Sequence, residues 1–332
     1  MSFLFWRRIE GGFERPKRLG NLRCTSIPAI FNLKGGAVMR NFILGTDWWT
    51  DCDDAVAIRL LARAHKAKEI NLLGIIINAC MEHSVTSLEG FLNTEEVYDI
   101  PLAIDLDATD FGGNPPYQKG LSPFAKKYHS NADAEDAVKL YRTILASADS
   151  PIELIEIGYP QVLTALLQSK SDDICQLDGA TLVKNKVSKI WMMAGKWDNN
   201  PDTENNFARN ERSRVAANIL CDICPVPITF LGWEVGASVI TGGDLEKNDP
   251  LYLALCDHRS FNGRSSWDPL LCLLALIGNE ENAGYSTVSG KASVDAKTGE
   301  NYFFVNNEGL HKYVVKQKED KYYADAINKL IK

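Results

Sequence analysis

The chain has 332 residues, of which 45% are hydrophobic and 24% charged, enough for one large α/β domain or two smaller ones with a sizeable core. A net charge of −7 and a pI near 5.4 argue against a nucleic-acid partner, because phosphate contacts require a basic face. No run approaches the roughly 18 apolar residues that would span a bilayer, so no membrane association is expected.

The eight cysteines are dispersed through a large chain, which reads as reduced thiols in a cytoplasmic protein rather than a disulfide framework. Cys221 and Cys224 form a CxxC with no second pair or histidine nearby, and are expected to be buried thiols on a helix. Residues 1 to 40 stand apart, with eight Lys/Arg against two Asp/Glu. "KGGAVM" can be encoded by a purine-rich ribosome-binding sequence ahead of Met39. Residues 1–38 are therefore expected to be a basic leader, either a misassigned start or a disordered or targeting arm. Residues 39–332 are read as a single domain.

From residue 41, short β-rich runs alternate with helical stretches, the pattern of a doubly wound, mostly parallel sheet flanked by helices. "NFILGTD" reads as the first strand, "DDAVAIRLLARAH" as a helix, "NLLGIIINA" as a buried strand, "SVTSLEGFLNTEEVY" as a helix and "PLAIDL" as a strand. "DFGGNPPYQKGLSP" reads as a loop, then "DAEDAVKLYRTILASA" as helix, "IELIEIG" as strand, "PQVLTALLQS" as helix and "VSKIWMMAG" as strand. "KWDNNPDTENNFARN" is expected to be a polar loop, "ERSRVAANILCDI" a helix, "PVPITFLGWEV" a strand and "DPLLCLLALIG" a buried helix starting at Asp268. The tail carries a small antiparallel excursion turning at Lys297-Thr298-Gly299, and a last amphipathic helix, "YADAINKLI".

The stretch "GTDWWTDCDD" places Asp47, Asp51, Asp53 and Asp54 at the end of the first strand, where open α/β sheets collect their ligands. Four carboxylates within eight residues repel one another, and a hard divalent cation with oxygen ligands is the usual reason to tolerate this. Helix capping by Asp53 or Asp54 is the competing explanation, but a cap needs only one aspartate. No Arg or Lys follows until Arg59. Two further loops at expected strand ends, "WDNNPDTENN" and "GRSSWDP", carry carboxylates and amides suited to hydroxyl groups.

In this order, "DDAVA", "DNNPDTENN" and "WDPL" resemble the inosine/uridine-preferring nucleoside hydrolases over about residues 41 to 330. The resemblance implies a doubly wound α/β domain, a homodimer or homotetramer, and Ca2+-dependent cleavage of the N-glycosidic bond of a ribonucleoside. In that chemistry a calcium-held water attacks C1′ while a carboxylate takes its proton. The family pattern D-x-D-P-G-x-D-D-A falls on Asp47 to Ala55. It implies Asp47 and Asp54 as calcium ligands and Asp53 as a ribose-hydroxyl partner. The second aspartate, ligand and general base, falls on Trp49, so Asp51 is the candidate replacement in both roles.

By the same resemblance, Gln161 offers a main-chain carbonyl to calcium. Asp198, Glu204 and Asn206 contact ribose, and Asp268 binds both calcium and the 3′-hydroxyl. Asn78, opening "NACMEH" where the family has a glycine and an asparagine, joins the substrate contacts. Trp267 replaces the family's leaving-group histidine. Trp49 and Trp267 could stack on an aromatic aglycone, and His83 and His258 are replacement acids by residue type. The leading expectation is a Ca2+-dependent N-ribosyl hydrolase of altered specificity. The alternative is a catalytically silent ribosyl-ligand binding protein using the same metal cup.

Overall fold

The computed structural model describes residues 39–49, 51–198 and 202–332. The reading of residues 1–38 as a leader lies outside the described residues, as do Asn199, Asn200 and Pro201 of the "DNNPDTENN" stretch.

Twelve strands follow in chain order: β1 (Arg40–Thr46), β2 (Ile70–Ile77), β3 (Leu102–Ile104), β4 (Glu135–Asp136), β5 (Ile152–Glu156), β6 (Val187–Met193), β7 (Ile228–Leu231), β8 (Ile240–Thr241), β9 (Arg264–Ser265), β10 (Tyr285–Val294), β11 (Asn301–Val305) and β12 (His311–Lys316). Ten form one sheet in the order β11-β10-β12-β7-β6-β5-β1-β2-β3-β4. From β12 to β4 every neighbouring pair is parallel, whereas β10 runs antiparallel to β11 and β12. β8 and β9 make a separate two-stranded antiparallel ladder. The doubly wound α/β expectation and its antiparallel excursion are both met.

The continuous apolar runs of the central strands arise because both sheet faces are covered. In β1, Phe42 and Leu44 enter the core on one face and Ile43 the core on the other. β2 repeats the alternation with Ile75 and Ile77 against Ile76. All six are at or near zero exposure, each contributing on the order of 2 kcal/mol of transfer free energy. The last helix, Asp320–Ile331, buries Tyr323, Ile327 and Ile331 at helical spacing. Cys221 and Cys224 are buried free thiols. No helix among the described residues is long and apolar enough to cross a membrane.

Several expected boundaries move. "NPPYQKGLSP" contains a helix, Pro116–Leu121, because proline is well suited to a first helical turn where its missing N–H costs nothing. The strand expected over "PVPITFLGWEV" stops at Leu231, and Trp233–Gly236 is a helical turn. The polar loop before residue 210 includes the short Asn205–Ala208 helix, capped by Glu204. Two helices unforeseen in the sequence, Gly179–Lys186 and Pro250–Asp257, are each capped by an aspartate, Asp178 and Asp249. The antiparallel turn does form at Lys297-Thr298-Gly299: Asp295 accepts the N–H groups of Lys297 and Thr298, and Gly299 takes φ +80°.

Candidate active site

The order of strands reverses between β1 and β5, with β2 to β4 laid out on one side and β5 to β7 on the other. That switch point opens a crevice at the carboxyl ends of the strands. A cavity of about 410 Å³ lies there. Its floor comes from the ends of β1, β5 and β6 through Asp47, Ile157 and Met193, and its wall from the first turns of two long helices.

These helices, Asp53–Lys66 and Trp267–Ile277, meet head to head. Asp53 Oδ2 accepts the backbone N–H groups of Trp267 at 2.9 Å and Asp268 at 3.0 Å. Capping explains only part of the cluster: the N-cap residue of the first helix is Cys52, which makes no side-chain cap bond, while Asp51 Oδ1 accepts the N–H of Asp53 at 3.3 Å and Asp53 serves the start of the second helix. Asp54 instead accepts the Thr46 hydroxyl and the Trp48 N–H, and Asp47 accepts the Trp49 N–H at 3.0 Å.

The turn between them is held from all sides. Trp48 sits at φ +48°, a left-handed conformation uncommon for a bulky residue. Its indole N–H donates to Ser87 Oγ, its carbonyl accepts from Gln118, and its ring packs on Phe91 and Tyr117. Trp49 is buried on Ala79, Met81, Ala108, Phe111 and Tyr159, with its indole N–H donating to Gly113 O. One Trp thus anchors the loop below and the other forms a wall of the cavity.

Asp51, Asp53 and Asp54 each place a carboxylate oxygen within 4.8 Å of the others. Asp47 and Asp268 line the same space. Burial, reinforced by the neighbouring aspartates, raises the carboxyls of Asp47, Asp53 and Asp268 well above their ordinary range. Asp54 is pushed to about 7, again by burial first. Asp51 differs. Burial raises it, but the hydrogen bond it shares with Asp53 and the charge of Arg264 outweigh that and hold it below its ordinary value. Asp51 and Asp53 are thus pushed in opposite directions, the divergence expected of crowded carboxyls. A cluster of oxygen donors this costly to ionise fits a hard divalent cation, which would neutralise it.

On the opposite wall, Glu204 accepts the N–H groups of Gly195, Asn206 and Phe207, and burial pushes it to about 7. Asn206 is fixed by donating to Met193 O. Trp267 also lines the cavity, its indole N–H donating to Trp233 O.

The structure thus brings together Asp47, Trp49, Asp51, Asp53, Asp54, Glu204, Asn206, Trp267 and Asp268 around one cavity. Three expected residues stand elsewhere. Asn78 is fully buried behind the floor, donating to Glu156 and accepting from Tyr159 N–H. Gln161, expected through its main-chain carbonyl, lines a separate surface groove, and its buried side-chain amide donates to Asn78 O. Asp198 pairs with Lys196 at 3.4 Å, outside the cavity lining. His83 lies beside Glu82, away from the site, whereas His258 lines the cavity mouth.

Sequence reasoning missed Arg264, Arg209 and Trp233, which also line the cavity. Arg264 pairs with Asp51 at 2.9 Å although 213 residues separate them, so a search for local counter-charges could not find it. Its one available signal was its place in "GRSSWDP", one turn before Asp268. Glu156, pushed to about 8 by burial beneath the site, was hidden inside an ordinary strand.

The chain has the nucleoside hydrolase fold. No protein-family model and no curated protein sequence matches it. Among solved structures, it is similar to the purine-preferring ribonucleoside hydrolase from Gardnerella vaginalis, with 17% identity and TM-score 0.64 over 88% of this chain and 99% of that one. It is similar also to the inosine-uridine preferring nucleoside hydrolase from Bacillus anthracis, with 14% identity and TM-score 0.60 over 88% and 99% of the two chains. The type III effector XopQ, solved in complex with adenosine diphosphate ribose, matches with 13% identity and TM-score 0.64 over 89% and 94%.

Proposed function

We propose that the protein is a Ca2+-dependent hydrolase of the N-glycosidic bond in a ribonucleoside or related ribosyl compound, working as a homodimer or homotetramer. The observation that carries this reading is the convergence of Asp47, Asp51, Asp53, Asp54 and Asp268 at the switch point, facing Glu204 and Asn206 across one cavity. Nucleoside hydrolases and an effector solved with a ribosyl ligand among the similar structures support the ribosyl class.

Asp47, Asp51, Asp54 and Asp268 would hold the cation, with Gln161 as the main-chain donor inferred from its motif position. A bound divalent ion lowers the pKa of water and so makes a nucleophile available at neutral pH. The chain's own groups do the rest. Asp51 takes the proton of the attacking water as positive charge develops at C1′. Asp53, Glu204 and Asn206 hold the sugar hydroxyls, with Asn78 bracing the floor. Trp49 and Trp267 enclose the aglycone, whose departure is eased by stacking rather than by the family's histidine.

A second reading, a silent ribosyl-ligand binding protein, draws on the Asp51–Arg264 pair, which partly neutralises the only candidate base. Elemental analysis for calcium, followed by ribose release from a nucleoside panel by the wild-type protein and Asp51→Asn, separates the two. Metal with no cleavage of any ribosyl compound leaves the binding reading. No bound metal and no ribosyl affinity overturns both.

A further inference from the structure

Six carboxylates line the cavity, and so do two guanidinium groups. Arg264 is committed to Asp51 and lies 5.3 Å over the Trp267 ring. Arg209 is not committed: among the described residues, no carboxylate pairs with it.

Arg209 is nonetheless held in one pose. Its Nε and Nη2 donate to Phe111 O at 3.1 and 2.6 Å, and its guanidinium carbon lies 4.7 Å from the centre of the Trp49 ring. The holding groups are themselves fixed. Phe111 stacks on Tyr159 at 4.0 Å, and Gly112, at φ +155°, lies so close to Trp49 that a Cβ would stand 2.4 Å from its ring. One edge and one face of the guanidinium are thereby used, while Nη1 and the other face stay available on an exposed residue. Arg209 also sits one turn after Glu204 and Asn206, next to the proposed hydroxyl-binding wall. A cation held by a carbonyl and a π-face, with its remaining N–H groups unspent, is a preorganised donor for a phosphate oxygen.

Space for more than a sugar is present. Beyond Trp49 and His258, which line both, a second hollow of about 310 Å³ opens against Pro115, Pro116 and Tyr117.

We infer that the site takes a phosphorylated ribosyl compound, a nucleotide or a diphosphate-linked nucleotide sugar rather than a neutral nucleoside, with Arg209 binding the phosphate. This rests on the ribosyl reading above.

The test uses the full chain loaded with calcium at fixed salt. Apparent affinities are measured for adenosine, adenosine 5′-monophosphate and adenosine diphosphate ribose, on the wild type, Arg209→Met and Arg209→Lys. Met keeps an apolar side chain on Trp49, and Lys keeps the charge without the fork. At least about a tenfold preference for a phosphorylated ligand is expected, sized from a charged hydrogen bond. Arg209→Met should abolish it while adenosine binding changes less than about threefold, and Arg209→Lys should retain part of it. Monophosphate against diphosphate in the wild type tells which source supplies the phosphate. Adenosine binding as tightly as the phosphorylated ligands, or a preference that survives Arg209→Met, overturns the inference and leaves the ribosyl reading intact. Failure of every ribosyl ligand to bind overturns both.

Discussion

Arg264 Nη2 donates to Asp51 Oδ2 at 2.9 Å, tying the proposed base to the strand that leads into the second helix of the site. The pair is about one third exposed on each side, so its worth lies in setting the protonation of Asp51 more than in stability. Replacing Asp51 by Asn should lower ribose release by at least about a hundredfold, as expected for a general base, while calcium remains bound.

Arg264→Met removes the charge that lowers Asp51, so the carboxyl must rise. A base is active when deprotonated. The acidic limb of the kcat/KM profile should therefore move to higher pH in this variant, with the alkaline limb unmoved. A profile that shifts as a whole, or not at all, removes Asp51 from the base role.

Trp49 stands where the resembling family has an aspartate, but Trp49→Asp should not restore an ordinary site. The ring is 3% exposed and completes a small cluster with Phe111 and Tyr159. Its loss leaves a void next to Arg209 and should cost about 3–5 kcal/mol, read as a lower denaturant midpoint.

Glu156 is 1% exposed, with Oε2 lacking a partner, and its carboxyl is pushed to about 8 from 4.5. Burial is the main cause, only partly offset by hydrogen bonds from Gly158 and Asn78. A carboxyl raised on folding binds its proton more tightly in the native state. Stability is therefore greatest below pH 4.5 for this group and is lost as pH rises through about 8, by on the order of 4 kcal/mol. Glu156→Gln should remove that part of the slope, so wild type and variant should diverge in denaturant unfolding between pH 5 and 9.

Calcium should raise the melting temperature of the wild-type protein, since a ligand at 100 times its Kd stabilises by about 2.7 kcal/mol. Chelation should reverse the shift, and Asp54→Asn should abolish it. An equal response in the variant would place the metal elsewhere.

The β1 and β2 runs were legible because a parallel strand buried on both faces must be continuously apolar, and the aspartates following Thr46 marked the crevice. Residues such as Asp51 and Asp268 could be picked out because each lies beside a strand end or helix start recognisable locally. Arg264 and Arg209 could not be read the same way. Their roles depend on pairs made across the sheet, with Asp51 and with Phe111 O, and nothing in the flanking residues announces either. The Pro116–Leu121 helix was hidden by its own prolines, which mark both loops and helix starts. Glu156 looked like a polar strand position until Gly45, whose added Cβ would stand 2.2 Å from its Oε2, revealed how closely the sheet packs around it.

Asp53 receives the N–H groups of residues 267 and 268, so the first described helix is latched to one made more than two hundred residues later. Until that late segment emerges and docks, the carboxylates of "GTDWWTDCDD" have no Asp268 and no Arg264 beside them. A nascent chain halted before residue 264 would expose an acidic loop with neither the second helix nor Arg264 against it. The late segment therefore completes a site whose first half is made more than two hundred residues earlier.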